Sequence, residues 1–438
     1  MRDRLSRTGH RPPDGTARTH SGPQAGRRRI RPPRVRPAVA AVLASTLLAS
    51  TALSTAGCRD GDTGGAAPRT EESVVLAAAR VPAFAAGRSA AHLAADRRFT
   101  LVTVGDVLVH APLMREARAT AGGDGYDFGP MLARIRRLIS SADLAICNQE
   151  TPVSPTNTRL TVPRTLSFNA PHEIATALRR AGFDACSTAS NHTWDRGLGG
   201  VRATLDALDD ARLAHSGSAR GARSAAKPPI YEVNGVRVGH LAYSYSIVNT
   251  AGPSTTVPEQ APWLREMLWP ALGAKGVLTQ ARRLRERGAE FVLVSIHWGS
   301  EYQQRPDARQ RRLARALLSS PDVDLVVGHH PHVVQPCQQI NGKYVAYSLG
   351  NFLSNQSPTQ SRDLPVATQD GVVLRFTVEE VSRGRFRVTR LEAAPTWVTI
   401  PGHVVRRATT RQFADSRART LRTLRSLGPG TCDVAPLR

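Results

Sequence analysis

The sequence is poor in several features that mark common classes of protein. Lysine occurs only at Lys227, Lys275 and Lys343, and aromatic residues make up 5% of the 438 positions. The formal net charge is +24, yet the arginines are scattered rather than striped, and few rings are present for base stacking. This composition argues against a nucleic-acid-binding protein. It favours a basic surface that meets an anionic polymer or lipid outside a cell.

Three motifs of common enzyme classes are also missing. The chain has no Gly-x-Ser-x-Gly elbow, no P-loop and no dinucleotide-binding glycine motif. Cys147 precedes no suitable base in the sequence. These absences argue against serine or cysteine nucleophiles and against ATP-driven ligation by this chain alone.

The first 57 residues are typical of an export signal. Residues 1–36 are rich in arginine, and the small apolar stretch Ala38–Gly57 follows them. Ala56-Gly57-Cys58 resembles a bacterial lipobox, although Thr55 stands where leucine is usual. We therefore expect an exported protein, held at the outer face of the membrane by a lipid on Cys58. Plain secretion and an uncleaved anchor helix are the alternatives, and the Ala/Ser/Thr-rich stretch is a weak candidate for spanning a membrane.

The remaining chain divides into three parts by composition. Residues 58–97 are rich in Ala, Gly, Arg and Asp and indicate a flexible tether. Residues 98–402 alternate strand-like and helix-like patterns, which predicts βαβ units in one large α/β domain. Residues 403–438 are interpreted as a peripheral helix and a loose tail.

Local signals locate individual elements in the domain. Apolar spacing predicts helices at 130–141, 171–181, 198–211, 278–288 and 306–319. Asn234-Gly235 and Asn341-Gly342 predict two hairpins, and alternation predicts a third over residues 371–399. The long irregular stretches 151–168 and 249–270 are interpreted as a lid or substrate wall.

Five predicted strands end in polar residues of the kinds that bind metals. The run 323–327 ends at Gly328, and His329, His330 and His332 follow it. The other four runs lead into these polar residues: Asp106 and His110; Asn148 and Glu150; Asn191, His192 and Asp195; His297 and Glu301. Sites in open α/β sheets gather at the carboxyl ends of strands. The sequence therefore predicts a shared metal centre.

Four cysteines remain after Cys58. They are Cys147, Cys186, Cys337 and Cys432, and four cysteines allow three disulfide pairings. None has zinc-finger spacing. Free buried thiols and disulfides are equally compatible with the sequence.

Several motifs together connect the chain with a known family. They are Gly105-Asp106-Val107-Leu108-Val109-His110, Asn148-Gln149-Glu150-Thr151-Pro152, Ser190-Asn191-His192-Thr193-Trp194-Asp195-Arg196-Gly197, His297-Trp298-Gly299, Gly328-His329-His330-Pro331-His332 with Gln335, and Ser348-Leu349-Gly350-Asn351-Phe352. In this order they resemble the CapA-type capsule and poly-γ-glutamate synthesis family, whose domain is similar to the calcineurin-like metallophosphatase fold. The resemblance implies a four-layer αββα sandwich with two mixed β-sheets flanked by helices.

The resemblance also implies roles for individual residues. The implied metal ligands are Asp106, Glu150, Asn191, His297, His329 and His332, with Glu150 bridging two metals. His192 is the implied proton donor or transition-state stabiliser. The pattern departs from metallophosphatases because His110 follows Asp106 by four residues and because Glu150 is longer than aspartate, so one metal or two fit the sequence. Mixed nitrogen and oxygen ligands suit Mn, Fe or Zn.

Six further residues have other or alternative interpretations. Asp195 either orients a histidine in the site or caps the helix after Arg196. Asn351 either lines the site or fixes its own loop, and Trp298 is more typical of packing than of a substrate platform. His110 and Glu301 are candidate lining residues. His330 is expected to lie outside the direct ligands.

Two functions remain open at this point. The first is a cell-envelope metal-dependent hydrolase that cuts a phosphoester or a γ-glutamyl amide in capsule polymer synthesis, export or processing. The second is a non-catalytic accessory lipoprotein that binds or anchors an anionic polymer. A nuclease-like enzyme on the same scaffold is a weaker third reading.

Overall fold

The described part of the chain is built from alternating strands and helices. A computed structural model describes residues 97–437. The leader, the signal peptide, Cys58 and the tether as far as residue 96 lie outside the described residues. The strands are β1 (Arg98–Val107), β2 (Leu144–Gln149), β3 (Val153–Ser154), β4 (Ala170–Pro171), β5 (Ala185–Ser187), β6 (Ala214–Ser216), β7 (Ile230–Val233), β8 (Val236–Ser244), β9 (Phe291–His297), β10 (Leu325–His329), β11 (Cys337–Ile340), β12 (Lys343–Ala346), β13 (Asn351–Leu353), β14 (Asp370–Ser382), β15 (Arg385–Thr399), β16 (Val404–Arg407) and β17 (Ala435–Pro436). The α-helices are α1 (Ala111–Thr120), α2 (Gly129–Ala133), α3 (Arg136–Ser140), α4 (Glu173–Ala181), α5 (Gly197–Asp210), α6 (Ala222–Ala225), α7 (Trp269–Glu286), α8 (Ala308–Leu318) and α9 (Ala414–Leu424).

The strands form two large mixed sheets. The first has nine strands in the order β16-β15-β14-β1-β2-β5-β6, with β13 beside β1 and β17 beside β15. The second has six strands in the order β11-β12-β10-β9-β8-β7. Parallel pairs lie at the centre of each sheet, β1 with β2 in the first and β9 with β10 in the second. The predicted hairpins join β7 to β8, β11 to β12 and β14 to β15.

Side-chain alternation along β1 shows how the layers stack. Val102 and Val104 pack with the first group of helices, α1 to α5. Phe99 and Leu101 point the other way, into an apolar layer shared with the second sheet. There the Phe99 ring meets Phe291 edge-on, with centroids 5.7 Å apart. The opposite face of the second sheet packs on α7 and α8. The predicted four-layer αββα sandwich is therefore confirmed.

Local signals explain several element boundaries. Asp307 caps α8 by accepting a hydrogen bond from the Gln310 backbone N–H at 2.7 Å, and the Gln310 side chain accepts one from the Asp307 N–H. Helix α4 ends at Gly182, whose φ is +105°. Its start differs from the prediction because Pro171 lies in β4 rather than in the first helical turn.

Other differences from the predicted elements are small in extent. The helix predicted over residues 130–141 is two short helices, α2 and α3, separated at Arg134 and Ile135. Helix α7 begins nine residues before the predicted start at 278, with non-helical backbone at Gly273. Helix α1 was not predicted from the sequence. It begins at His110 with no side-chain cap, so Pro112 in the first turn is the start signal that it offers.

The C-terminal segment is more closely attached than its composition suggests. Strands β16 and β17 both pair with β15, so the boundary predicted at residue 402 falls inside the first sheet. In α9, Ser416 donates to Asp370 at 2.6 Å, and Arg419 forms a partly buried ion pair with the same carboxylate. The segment therefore has a helix, as predicted, but not a loose tail.

The structure joins the four cysteines of the domain into two disulfides. Cys147 in β2 bonds to Cys186 in the adjacent strand β5, and Cys337 bonds to Cys432 near the C-terminus. Within residues 97–437, no helix is both long enough and apolar enough to cross a membrane.

Candidate metal centre

The carboxyl ends of five parallel strands converge on one buried cluster. Strands β1, β2 and β5 run parallel in the first sheet, and β9 and β10 run parallel in the second. The residues that they deliver are Asp106 from β1, Glu150 after β2, Asn191 and His192 after β5, His297 from β9, and His329 with the following loop from β10. These are the residues that sequence reasoning named, and all of them are buried.

One half of the cluster surrounds Asp106. Its Oδ1 lies 3.2 Å from His329 Nδ1, and its Oδ2 lies 3.2 Å from His332 Nδ1. The carboxylate also accepts hydrogen bonds from Asn148 Nδ2 at 2.9 Å and from the backbone N–H of His330 at 3.1 Å. Asn148 lies in β2 directly beside Asp106, so it fixes the orientation of Asp106 from the neighbouring strand.

The other half surrounds Glu150 and His297. Glu150 Oε1 lies 3.6 Å from His297 Nε2 and also 3.6 Å from His332 Nε2. His297 Nε2 is 2.9 Å from Asn191 Oδ1. Since Glu150 approaches His332, which contacts Asp106, and His297, which contacts Asn191, its carboxylate lies between the two halves.

Several buried ligand atoms in this cluster lack hydrogen-bond partners in the described residues. They are both carboxylate oxygens of Glu150 and the Nδ1 atoms of His297, His329 and His330. Burying a carboxylate without such partners is costly, and a divalent cation would satisfy it. Potential ligand atoms lie within 4.8 Å of one another in three sets: Glu150, His297 and His330; Asp106, Glu150 and His332; Glu301, His330 and His332. The residues present therefore fit a divalent metal.

The surroundings of the two carboxylates shift their pKa values in opposite directions. Burial raises the pKa of Glu150 well above its usual value, and the charge of Asp106 adds to this effect. Burial would also raise the pKa of Asp106, but the adjacent His329 and His332 hold it well below its ordinary range. Burial alone would lower the pKa of His332, yet Glu150 and Asp106 raise it to about 10.

Two other histidines in the cluster are held neutral. Burial, reinforced by the charge of His330, lowers the pKa of His297 well below its usual value. Burial and the charge of His332 lower the pKa of His330 to about 3. A neutral imidazole keeps a lone pair for a metal.

His192 and Asp195 form a pair at the edge of the cluster. His192 Nδ1 is 2.9 Å from Asp195 Oδ2, and Asn191 Nδ2 is 3.3 Å from His192 Nε2. The backbone N–H of Phe168 donates to Asp195 Oδ2 at 2.7 Å, and the Phe168 ring meets the His192 ring edge-on at 4.6 Å. Helix α5 begins at Gly197 with no side-chain cap, so Asp195 orients His192 rather than capping the helix.

The four candidate lining residues have different environments. Asn351 combines both of its alternatives: its Oδ1 is 3.0 Å from His332 Nδ1, and its Nδ2 donates to backbone and side-chain oxygens of its own loop. Glu301 lies at the rim, 4.0 Å from His332 Nε2 and 40% exposed. His110 is buried beside Phe168. Trp298 does not line the site, because it packs against Tyr347 in the helix-side core and its indole N–H donates to the Tyr347 carbonyl.

Sequence reasoning misjudged or missed other residues of the site. His330, expected outside the direct ligands, belongs to two of the three sets of converging atoms. Its φ of +95°, with +56° at His332 and +62° at Tyr302, shows backbone in a costly conformation around the site. Tyr245 lies over His330 with ring centroids 4.5 Å apart. The only sequence signal for Tyr245 is its position at the end of β8.

The two long irregular stretches differ in their relation to the site. Phe168 closes the first stretch directly against His192. In the second, Leu264 and Met267 are buried in a small apolar cluster, so this part is core rather than substrate wall. Both of its ends reach the site. Asn249 Oδ1 accepts a hydrogen bond from Asn191 Nδ2 at 3.2 Å, and the Trp269 indole N–H donates to the His297 carbonyl at 3.3 Å.

Comparison with known proteins identifies the family of this chain. The family model described as bacterial capsule synthesis protein PGA_cap matches residues 100–356. That match covers more than half of the chain, and the chain therefore belongs to this family.

Two curated relatives are similar over the same region. The PGA biosynthesis protein CapA of Bacillus subtilis (strain 168) is 29% identical over 259 residues, which are 59% of this chain and 63% of the relative. The capsule biosynthesis protein CapA of Bacillus anthracis is 27% identical over 270 residues, which are 61% of this chain and 62% of the relative. The chain thus spans less than two thirds of the length of either protein.

A solved structure also aligns with the chain. The calcineurin-like phosphoesterase YfkN from Bacillus subtilis is 17% identical, with a TM-score of 0.39 over 74% of this chain and 98% of that one. At this score the alignment carries no argument about function.

Proposed function

We propose that this protein is a metal-dependent hydrolase of the cell envelope that cuts a phosphoester or a γ-glutamyl amide during the synthesis, export or processing of a capsule polymer. The observation that carries the proposal is the buried carboxylate of Glu150, which lacks hydrogen bonds and lies 3.6 Å from both His297 and His332. A structural ion pair would satisfy such a carboxylate. The open ligand atoms instead favour one or two bound divalent ions.

The ligand atoms suggest which residues hold these ions. Asp106, Glu150 and His332 are one set, with His329 beside Asp106. Glu150, His297 and Asn191 are another, with His330 nearby. Their mixture of imidazole nitrogens and carboxylate or amide oxygens suits Mn, Fe or Zn. Such a metal supplies Lewis-acid polarisation of a phosphoryl or carbonyl oxygen and lowers the pKa of a coordinated water.

The His192 and Asp195 pair supplies a proton to the leaving group. Asp195 Oδ2 accepts a hydrogen bond from His192 Nδ1–H and so fixes the ring, which leaves Nε2 as the atom that exchanges a proton with substrate. Phe168 covers this pair on one side and excludes water from it. Asn351 holds His332 in place through Nδ1.

The polymer context comes from the relatives. Their names state biosynthesis of PGA and of capsule, and the basic charge of this chain suits an anionic polymer or a small phosphoester or γ-glutamyl substrate. We further propose that the chain acts outside the cell, anchored through a lipid on Cys58 or secreted, on the basis of its leader sequence. No nucleic acid is expected as a partner.

The test is a hydrolysis screen of the full chain after loading with Mn, Fe or Zn. Phosphodiesters and γ-glutamyl peptides are the substrates, and His192→Gln is the diagnostic variant. Loss of a general acid costs about 100-fold to 10,000-fold in rate, while metal content should stay at the wild-type level. His215→Gln is the matched control, because His215 contacts Asp209 at 3.2 Å in a similar pair on edge strand β6. Equal residual activity in wild type and His192→Gln on every substrate would instead favour a non-catalytic polymer-binding protein.

A further inference from the structure

A second buried histidine and carboxylate pair lies outside the cluster of metal-type ligands. His403, which is 1% exposed, has its Nδ1 2.5 Å from Glu116 Oε2 in helix α1. The backbone N–H of Gly402 donates to the other Glu116 oxygen at 3.0 Å. His403 falls beyond the residues matched by the family model, which end at 356.

The free side of this imidazole holds an asparagine. His403 Nε2 lies 2.8 Å from Asn355 Oδ1. The His403 ring thus has the Glu116 carboxylate at one nitrogen and the Asn355 amide oxygen at the other. With Oδ1 held in this way, Asn355 Nδ2 makes no hydrogen bond to any residue within 97–437. Its two N–H donors remain for another molecule.

A row of contacts connects Asn355 with His192, the proposed proton donor. Its backbone N–H is 3.4 Å from His110 Nδ1. The His110 ring meets Phe168 edge-on at 5.4 Å, and Phe168 meets His192 edge-on at 4.6 Å. The row therefore leads from His192, the proposed proton donor to the leaving group, to Asn355.

The electrostatic surroundings of His110 support this placement. Burial lowers the pKa of His110 to about 3, and the charges of His332, His192 and His403 contribute in the same direction. His110 thus lies within reach of the cluster on one side and of His403 on the other. Its Nδ1 is also 3.0 Å from the Leu108 carbonyl, so the ring is fixed and neutral.

The loop that carries Asn355 is held at both ends. Asn351 contacts His332 and donates to Gln356 Oε1 at 3.0 Å. Gln356 Nε2 in turn donates to Tyr302 OH at 3.2 Å. A loop fixed this firmly beside the site keeps the Asn355 amide in one orientation, as a binding group requires.

We propose that Asn355, His110 and Phe168 form a subsite for an anionic oxygen on the leaving-group side of the substrate, and that His403 and Glu116 position Asn355. The oxygen belongs to a carboxylate or to a phosphate, because the free N–H donors of Asn355 require an oxygen acceptor and bind an anionic one more strongly than a neutral one. The place of the subsite in a reaction rests on the proposed function. Its binding chemistry does not, because binding can be measured without turnover.

The experiment measures binding to the full, metal-loaded chain by calorimetry, with γ-glutamylglutamate and inorganic phosphate as separate probes. In Asn355→Asp, a carboxylate replaces the amide and no longer donates to an anion. Kd for the probe that occupies the subsite should therefore rise about tenfold or more at unchanged metal content. The probe that responds identifies the source of the oxygen. If neither Kd changes, the subsite is excluded.

A double-mutant cycle separates positioning from general structure. If His403 acts through Asn355, His403→Gln weakens binding in the wild type but adds nothing in the Asn355→Ala background. Additive losses would overturn the positioning role. Should His403→Gln fail to fold, Glu116→Gln gives the same comparison at a side chain that is 31% exposed. The control variant His215→Gln should leave Kd unchanged. If the probe binds and binding depends on Asn355, but no substrate is hydrolysed, the proposed function is refuted while the subsite stands.

Discussion

His332 and Glu150 come from strands of different sheets, and their side chains lie 3.6 Å apart. Glu150 follows β2 in the first sheet, and His332 follows β10 in the second. The candidate centre is therefore complete only when the two sheets have packed. Because a bound metal would join the sheets, metal binding should also stabilise the fold.

Metal should raise the unfolding temperature, and this increment should depend on Glu150. At a metal concentration 100 times Kd, linkage predicts about 2.7 kcal/mol of added stability. Glu150→Gln removes the carboxylate between the two halves, so the increment should shrink or vanish. Scanning calorimetry with and without Mn or Zn measures it, and an equal increment in the variant would contradict the arrangement.

The metal-free protein should lose stability as pH rises above about 8. The pKa of His332 is raised from 6.5 to about 10, and that of Glu150 lies well above 4.5, so both groups bind protons more tightly in the folded chain. Their contribution is complete below the unfolded pKa values and is lost as pH rises through the folded ones. Thermal unfolding of the apo chain between about pH 8 and about pH 9 should show this decline, with a shallower slope for His332→Gln. Histidines whose pKa is lowered by burial, such as His297 and His330, have the opposite effect, but it is complete once pH exceeds their unfolded pKa of 6.5. A stability that rises over this range would show that these protons are absent.

Gly328 should tolerate no side chain. A Cβ at this position would lie 2.0 Å from the Tyr347 carbonyl oxygen and 2.4 Å from Trp298 Nε1. Gly328→Ala should therefore displace the loop that carries His329 and cost about 1–3 kcal/mol or more, together with metal affinity. Gly199→Ala is the matched control, because its Cβ meets no atom within 4 Å in helix α5 and should be neutral or stabilising. Equal effects of the two substitutions in urea unfolding would refute the close-packing argument.

The two disulfides should be found by peptide mapping without reduction. The expected pairs are Cys147 with Cys186 and Cys337 with Cys432. Loss of the second, in Cys432→Ser, should cost about 2–4 kcal/mol of stability, because it closes the longer loop, with a sequence separation of 95. Free thiols at all four positions would contradict the structure here.

The layered α/β fold and the strand ends that carry the candidate ligands could be predicted from the sequence, because both depend on local patterns. Apolar runs that stop at Asp106, Glu150 or His297 identify strands and their polar ends together. The parallel arrangement then brings those ends to one edge. Register within each strand, and hence which residue faces the other sheet, follows from alternation.

The missed features depend on contacts between distant segments. His330 lies in the site because its backbone has a positive φ. Trp298 lies outside it because its indole N–H donates to the Tyr347 carbonyl. Neither is encoded in neighbouring residues. Strand β16 is four residues long and lacks clear alternation, so only its pairing with β15 reveals it. The His403 and Glu116 pair joins residues 287 positions apart.

The metal content of the purified full chain tests the central claim most directly. Wild type, Asp106→Asn and His332→Ala are loaded with Mn, Fe or Zn, desalted and measured by mass spectrometry, with Asp209→Asn as an exposed control carboxylate. The account predicts one or two ions per chain in wild type and in the control, and loss of metal in both site variants. Wild type that stays empty after loading, or variants that retain the full metal content, would contradict a metal centre at this cluster.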